Sequence, residues 1–195
     1  NQPSKLNAAI EALDAEGFQI HFHAIGDYAI EVSFDSLQNA REKNGKRDSR
    51  HHISHIEVFQ EKDISRFNEL DVVANFQPLW AIEDEYITEH TWPKIGQERS
   101  KYLYPIGSVK RSGGKIAFGS DWYVTSVNPL DGIETAVTRL EPNGLTKNPL
   151  GVNEEIGLAD AIEAYTLNGA YVNFLDKKVG SIEVGKQADL IVLDK

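Results

Sequence analysis

The sequence predicts an α/β protein built on a parallel sheet, and two observations carry that prediction. Four short β-like runs alternate with helical stretches as far as Gly119, and the polar residues His23, His55 and Asp121 stand where three of those runs pass into loops. Strands that alternate with helices need right-handed crossovers, which leaves either a doubly wound open sheet or part of an eight-stranded barrel.

From Ser4, the expected N-cap, the apolar residues Leu6, Ala9, Ile10 and Leu13 recur at helical spacing until Gly17 offers a stop, so a helix comes first. Phe18 to His23 then alternates, with Gln19, His21 and His23 on one face and apolar residues on the other. A second helix is expected from Asp27 to Lys43, with Ile30, Phe34 and Leu37 on one side and Asn44-Gly45 closing it. The order continues with a strand near His51 to Ile56, a helix around Lys62 to Leu70 and the run Val72 to Phe76. A helix ending near Arg111 then leads past Gly113-Gly114 to the run Ile116 to Gly119. The pattern changes there. Helices are expected from Pro129 to Arg139 and from Leu158 to Asn173, and the runs Val179 to Val184 and Ala188 to Leu193, divided by Gly185-Lys186, read as a small β-appendage. The stretch Ala81 to Tyr104 is long and aromatic-rich for a connection; it reads as a substrate-facing lid or as an ordinary surface insertion.

Composition narrows the function classes. The chain has 195 residues, enough for one sizeable core, and no uninterrupted apolar run that would span a bilayer. A net charge of −10 repels phosphate backbones, so nucleic acid is not an expected partner and neither is a membrane. There is no cysteine, so any transition metal must be held by histidine, carboxylate or a modified side chain. There is no methionine either, and Asn1 opens the chain; a piece of a longer, cytoplasmic polypeptide is expected, with any export signal upstream.

In a parallel α/β protein the C-terminal strand ends form the reaction face, and His23, His55 and Asp121 all fall there. Imidazole and carboxylate suit zinc, iron or manganese, and strands about 4.8 Å apart can bring such donors together. A single histidine at a strand end is ordinarily a hydrogen-bonded structural residue; the three together point to a divalent metal. His21 lies two residues deeper on the same side as His23, placed to bond a ligand from behind or to pack. Asp27 either orients a ligand imidazole or caps the following helix. Gln77, Trp80 and Trp122 either line a substrate pocket or pack. His51 and His52 read as structural and His90 as a loop residue, while Arg99 and Arg139 either meet acidic substrate groups or form surface ion pairs.

Four segments carry a more specific resemblance. Gly17 to Asp27 reads Gly-Phe-Gln-Ile-His-Phe-His-Ala-Ile-Gly-Asp, and Arg50 to Glu57 reads Arg-His-His-Ile-Ser-His-Ile-Glu. Ala117 to Trp122 reads Ala-Phe-Gly-Ser-Asp-Trp, and Gly180 to Leu190 reads Gly-Ser-Ile-Glu-Val-Gly-Lys-Gln-Ala-Asp-Leu. In order and spacing they resemble the amidohydrolase superfamily, in particular the branch containing N-substituted formamide deformylases.

The resemblance implies the C-terminal half of a (β/α)8 TIM barrel, strands five to eight, over residues 1–175, with residues 176–195 adding short strands to a flanking β-sandwich. It implies one or two divalent ions, zinc first, with His23 as the strand-five ligand, His55 as the strand-six ligand and Asp121 as the strand-eight ligand that also shuttles the proton. The reaction implied is hydrolysis of amide-like, non-peptide C–N bonds in a small molecule by a metal-activated water. Members of the family carry a His-x-His pair and a bridging lysine upstream, and neither can be placed in this chain. The isolated chain is therefore expected to be inactive, and to pair with its missing N-terminal half or with itself through exposed barrel edges. The rival readings are a metal-free binding module and a nucleotide-binding open sheet. The second is disfavoured, since no Gly-x-Gly-x-x-Gly follows any of the strands.

Overall fold

A computed structural model describes residues 2–144 and 146–194. The first helix, α1 (Pro3–Ala15), starts at a proline whose missing N–H is no loss in the first turn; Gln2, not Ser4, precedes it, and no side chain caps it. After a turn at Gly17 (φ 87°), β1 occupies His21–Ala24, shorter than the alternation predicts. Gln19 instead spends its amide on the carbonyls of Arg50 and Val172. Next come α2 (Asp27–Asn44), closed by Gly45 at φ 85°, and β2 (His52–His55). The helix expected around Lys62 is a 3-10 turn, Glu61–Asp63, followed by the single turn α3 (Arg66–Glu69). Then follow β3 (Val73–Phe76), α4 (Trp92–Ser100), α5 (Ile106–Arg111), β4 (Ile116–Phe118) and α6 (Pro129–Thr138). The helix expected from Leu158 to Asn173 is two, α7 (Leu158–Tyr165) and α8 (Leu167–Val172), broken at Thr166 (φ −106°, ψ −87°). There the threonine hydroxyl bonds back to the Ile162 carbonyl, which competes with the helical ladder.

The four strands form one parallel sheet in the order β1-β2-β3-β4, so the expected parallel α/β arrangement is present. Its two faces differ. Phe22, Ala24, Ile53, Ala74, Phe76, Ile116 and Phe118 join Ile10, Ile30, Phe34, Leu37, Phe67, Val109 and Ala136 from the surrounding helices in the main core. The opposite face carries His21, His23, His52, Ser54, Val73, Asn75 and Ala117, and α8 seals it only where Val172 and Tyr171 meet Val73 and Ala117. His21 and His23 keep part of their surface in solvent.

The two C-terminal runs expected as strands, Val179 to Val184 and Ala188 to Leu193, form no ladder among the described residues. An extended segment becomes a strand only against a partner edge, and here Ile182, Val184, Ile191 and Val192 stand in solvent. Among the described residues no helix is long and apolar enough to cross a membrane.

One buried carboxylate fixes the entry to the sheet. Asp14, at the end of α1, is 4% exposed and accepts bonds from Asn44 Nδ2 (2.7 Å), Arg47 Nη2 (2.6 Å) and His51 Nε2 (3.0 Å). The backbone N–H of Ile20 donates to His51 Nδ1 at 2.9 Å, so that nitrogen must be an acceptor and the proton sits on Nε2, facing Asp14. A second proton on His51 would set N–H against N–H. Burial, the largest influence, holds the imidazole below its usual range although Asp14 pulls the other way. Burial also opposes ionisation of Asp14, but its bonds from Asn44, Arg47 and His51 hold the carboxyl below the usual carboxylate range.

Asp14→Ala should therefore cost about 3 kcal/mol in urea unfolding, the scale of a buried charged group stripped of its partners. A group depressed in the folded state stabilises above its unfolded pKa, so the wild type should weaken as pH falls below about 6.5. His51→Gln should flatten part of that slope below about pH 6.5; an unchanged slope would remove His51 from the account.

Candidate functional site

His23 is the third residue of β1 and His55 the last of β2. In register His23 lies opposite Ser54 and His55 opposite Ala24, so strict alternation would turn His55 toward the helix-covered face. It does not go there. His55 (φ 77°) and Ile56 (φ 57°) adopt left-handed backbone, and the His55 ring meets His23 edge-on with centroids 4.4 Å apart. Such a conformation costs a non-glycine residue about 1–2 kcal/mol. Bonds from Ile56 N–H to the Ala24 carbonyl (3.0 Å) and from Val58 N–H to the Ile25 carbonyl (2.9 Å) hold it in place.

Asp121 follows β4 after Gly119-Ser120, is exposed, and also has positive φ, 54°. The His55 imidazole is held below its usual range, by burial first and by His23 next, while the Asp121 carboxylate raises it. The structure thus brings His23 and His55 together and sets Asp121 near enough to act on His55 electrostatically. Among the described residues, no three histidine, aspartate or glutamate side chains converge as a metal centre requires.

Beneath this pair lies another. His21 and His52 stack at 4.5 Å and 28°, and the Ser54 hydroxyl bonds His21 Nε2 at 2.8 Å. Burial and then His21 push His52 down to about 4; burial and then His23 lower His21. Ser54 drew no attention in the sequence, although alternation from His52 places it on this face.

Gln77 is buried just beyond β3, its Nε2 directed at the carbonyl and the Oδ1 of Asn75 (3.3 and 3.4 Å). Trp80, on a 3-10 turn (Pro78–Trp80), packs its ring 5.5 Å from that of His55. His55 Nδ1, Gln77 Oε1 and Trp80 Nε1 are all buried without a hydrogen-bond partner. Trp122 stands exposed beside Tyr123.

Other expected residues settle differently. Asp27 accepts from the N–H of Tyr28 (2.9 Å) and from Arg99 (2.7 Å), so it holds the start of α2 and pairs with a surface arginine; neither contact is with an imidazole. Arg139 is no surface residue: it is fully buried, with Nε on the Leu150 carbonyl (2.9 Å) and Nη2 on that of Leu103 (3.1 Å). His90 contacts Tyr86, within a π-helical turn, Tyr86–Thr91. The insertion from Ala81 folds back over the loops that follow β1 and β2. Besides Arg99 on Asp27, Leu103 bridges Val58 and the Tyr104 N–H meets the Glu57 carbonyl at 2.9 Å. Burial pushes the Glu57 carboxyl up, and Thr91 reaches it from the insertion. Sequence reading gave Glu57 no role. A cleft of about 910 Å³ lies between this insertion, at Trp92 and Tyr102, and the loop at Leu150 and Val152, and no histidine lines it. His23 lines a smaller one, about 390 Å³, with Phe22, Tyr28 and Leu6.

The chain is similar to known proteins over nearly its whole length. The chain is 35% identical over 192 residues to Protein LONG AFTER FAR-RED 3 of Arabidopsis thaliana, covering 98% of this chain and 32% of that protein. It is 28% identical over 181 residues to the N-substituted formamide deformylase of Arthrobacter pascens, covering 92% of this chain and 32% of the enzyme. The chain therefore spans about a third of the length of these relatives. An uncharacterized metal-dependent hydrolase from Pyrococcus horikoshii OT3 superposes with a TM-score of 0.82 at 25% identity, over 100% of this chain and 38% of that one. An adenosine deaminase from Xanthomonas campestris with bound zinc shares the fold, with a TM-score of 0.61 at 18% identity, over 96% of this chain and 40% of that one. The model of the Amidohydrolase family matches residues 1–195, and the chain belongs to that family.

Proposed function

We propose that this chain is the C-terminal half-barrel of a metal-dependent hydrolase acting on amide-like, non-peptide C–N bonds. The observation that carries this reading is the His23–His55 contact at 4.4 Å on adjacent parallel strand ends, with Asp121 acting on His55. Two imidazoles and a carboxylate, with no thiolate, are a donor set that suits zinc, and iron or manganese also fit. His23, His55 and Asp121 would hold the ion, which when bound acidifies water and polarises a carbonyl. Asp121, exposed at the mouth of the sheet, takes the proton from the attacking water and returns it to the leaving nitrogen. Trp80, against His55, and Trp122, exposed next to Asp121 in sequence, would line the substrate pocket. The deformylase and deaminase names among the relatives support C–N chemistry on a small molecule.

In this reading the four strands are strands five to eight of a (β/α)8 barrel, and the exposed residues of 179–193 join a flanking β-sandwich whose other strands lie outside the chain. The missing donors would come from the preceding half. A metal-free interaction module is the rival, favoured by the lack of a three-donor cluster among the described residues.

Calorimetric titration with zinc should show weak binding by the chain, abolished by His23→Ala or His55→Ala. Tight stoichiometric zinc retained in the double variant would sink the ligand assignment. The chain alone should give no turnover of N-formyl or N-acyl amines, because an incomplete donor set cannot fix an activated water; chelator-sensitive hydrolysis by the purified chain would refute this.

The edges make a separate prediction. β1 and β4 each pair on one side only among the described residues, and Trp122, Tyr123, Val124 and Val127 crowd exposed just after β4. Unpaired edges beside apolar surface favour association. Sedimentation equilibrium at micromolar concentration should detect self-association, or a complex with a separately supplied N-terminal half. A monodisperse monomer of 21.8 kDa that ignores both would overturn the edge argument.

A further inference from the structure

We propose that Gln77 is a positioning residue for His55: its Oε1 accepts the Nδ1 proton of the imidazole, leaving Nε2 as the nitrogen with a free lone pair on the open side of the sheet. This deepens the reading of His55 as a metal ligand and rests on it. The observation is a pair of orphans. His55 Nδ1 and Gln77 Oε1 are both buried and neither has a partner. They come from neighbouring parallel strands, one the last residue of β2 and the other the residue after β3, in a register that pairs Ser54 with Asn75. The Gln77 amide cannot turn around without loss, because Nε2 faces two oxygens of Asn75 and Oε1 must take the other side. The 3-10 turn that begins after Gln77 sets the Trp80 ring 5.5 Å from that of His55, and the Gln77 amide is near enough to act on the imidazole as a hydrogen-bonding neighbour.

A buried donor or acceptor left alone is costly, and a neighbouring buried donor and acceptor satisfy each other with a small closing movement. Second contacts of this kind select which imidazole nitrogen is free to bind. The competing arrangement is a bond from Trp80 Nε1–H to either atom, since that group is also buried and unpartnered. Donation to Nδ1 would set an N–H against that nitrogen and favour the Nε2–H tautomer, whereas donation to Oε1 would leave its second lone pair for His55.

Long-range proton–nitrogen correlation spectra of the ¹⁵N-labelled chain, at about pH 8 where imidazole is neutral, read the tautomer directly and need neither metal nor turnover. His55 is assigned by the signal lost in His55→Gln. The expected result is a protonated, pyrrole-type Nδ1 and a pyridine-type Nε2 in the wild type. Gln77→Leu should move the dominant form to Nε2–H, and Gln77→Glu, which keeps an acceptor, should retain Nδ1–H. A wild-type His55 in the Nε2–H form overturns the proposal without any variant, and so does a tautomer indifferent to Gln77→Leu. Failure of the zinc titration would leave this result standing, so the two ideas fail separately.

Discussion

The left-handed backbone at His55 and Ile56 is the constraint on which the rest of the site depends. A parallel strand that kept its alternation would bury the His55 ring among the aliphatic residues under the helices, where an imidazole has no partner. The turn spends local backbone energy to set that ring against His23, and the ladder to β1, continued through Ile56 and Val58, holds it there. Asp121 has the same kind of backbone at the end of β4. His55 ends β2 and Asp121 lies three residues past β4, but positive φ also occurs away from this face, at Arg50, Asp71 and Arg139, so the ring contact and not the backbone alone marks the site.

The sheet gives this arrangement a rigid base because its faces have been divided between two tasks. One face is closed by aliphatic and aromatic residues from α1, α2, α5 and α6, and its contacts fix the strand positions. The other face carries two tiers of histidine on β1 and β2, with Ser54 and Asn75 beside them. The upper pair touches edge-on and the lower pair stacks. Burial disfavours charge on His21, His52 and His55, which keeps neutral lone pairs available on a face of a protein whose overall charge is strongly negative.

Much of this was legible in the sequence because periodicity and strand-end chemistry are local signals. The alternation through His21 and His23, the glycine stops at Gly17 and Gly45, and the helices from Asp27 and Pro129 follow from residue pattern alone, whereas the first helix is legible but begins at Pro3 and not after the expected cap Ser4. The fate of Asp27 and Arg139 was not legible. Each depends on a partner far along the chain: Arg99 for the first, Leu103 and Leu150 for the second. The turn at His55 was equally hidden, since neither histidine nor isoleucine announces positive φ as glycine would. The C-terminal runs carry a β pattern that this chain offers no edge to receive, and Thr166 divides a periodic stretch through a hydroxyl that sequence pattern does not weigh.

Arg139 has a further consequence for how the molecule breathes. Its guanidinium, fully buried, ties the end of α6 to the loop at Leu150 and to Leu103, the exit of the insertion. The loop cannot lift without uncovering the arginine, and the arginine cannot move without releasing the insertion. Segments distant in sequence must therefore open in one cooperative step, so their amide protons would exchange with solvent at a common rate, slower than exposed loops ordinarily allow.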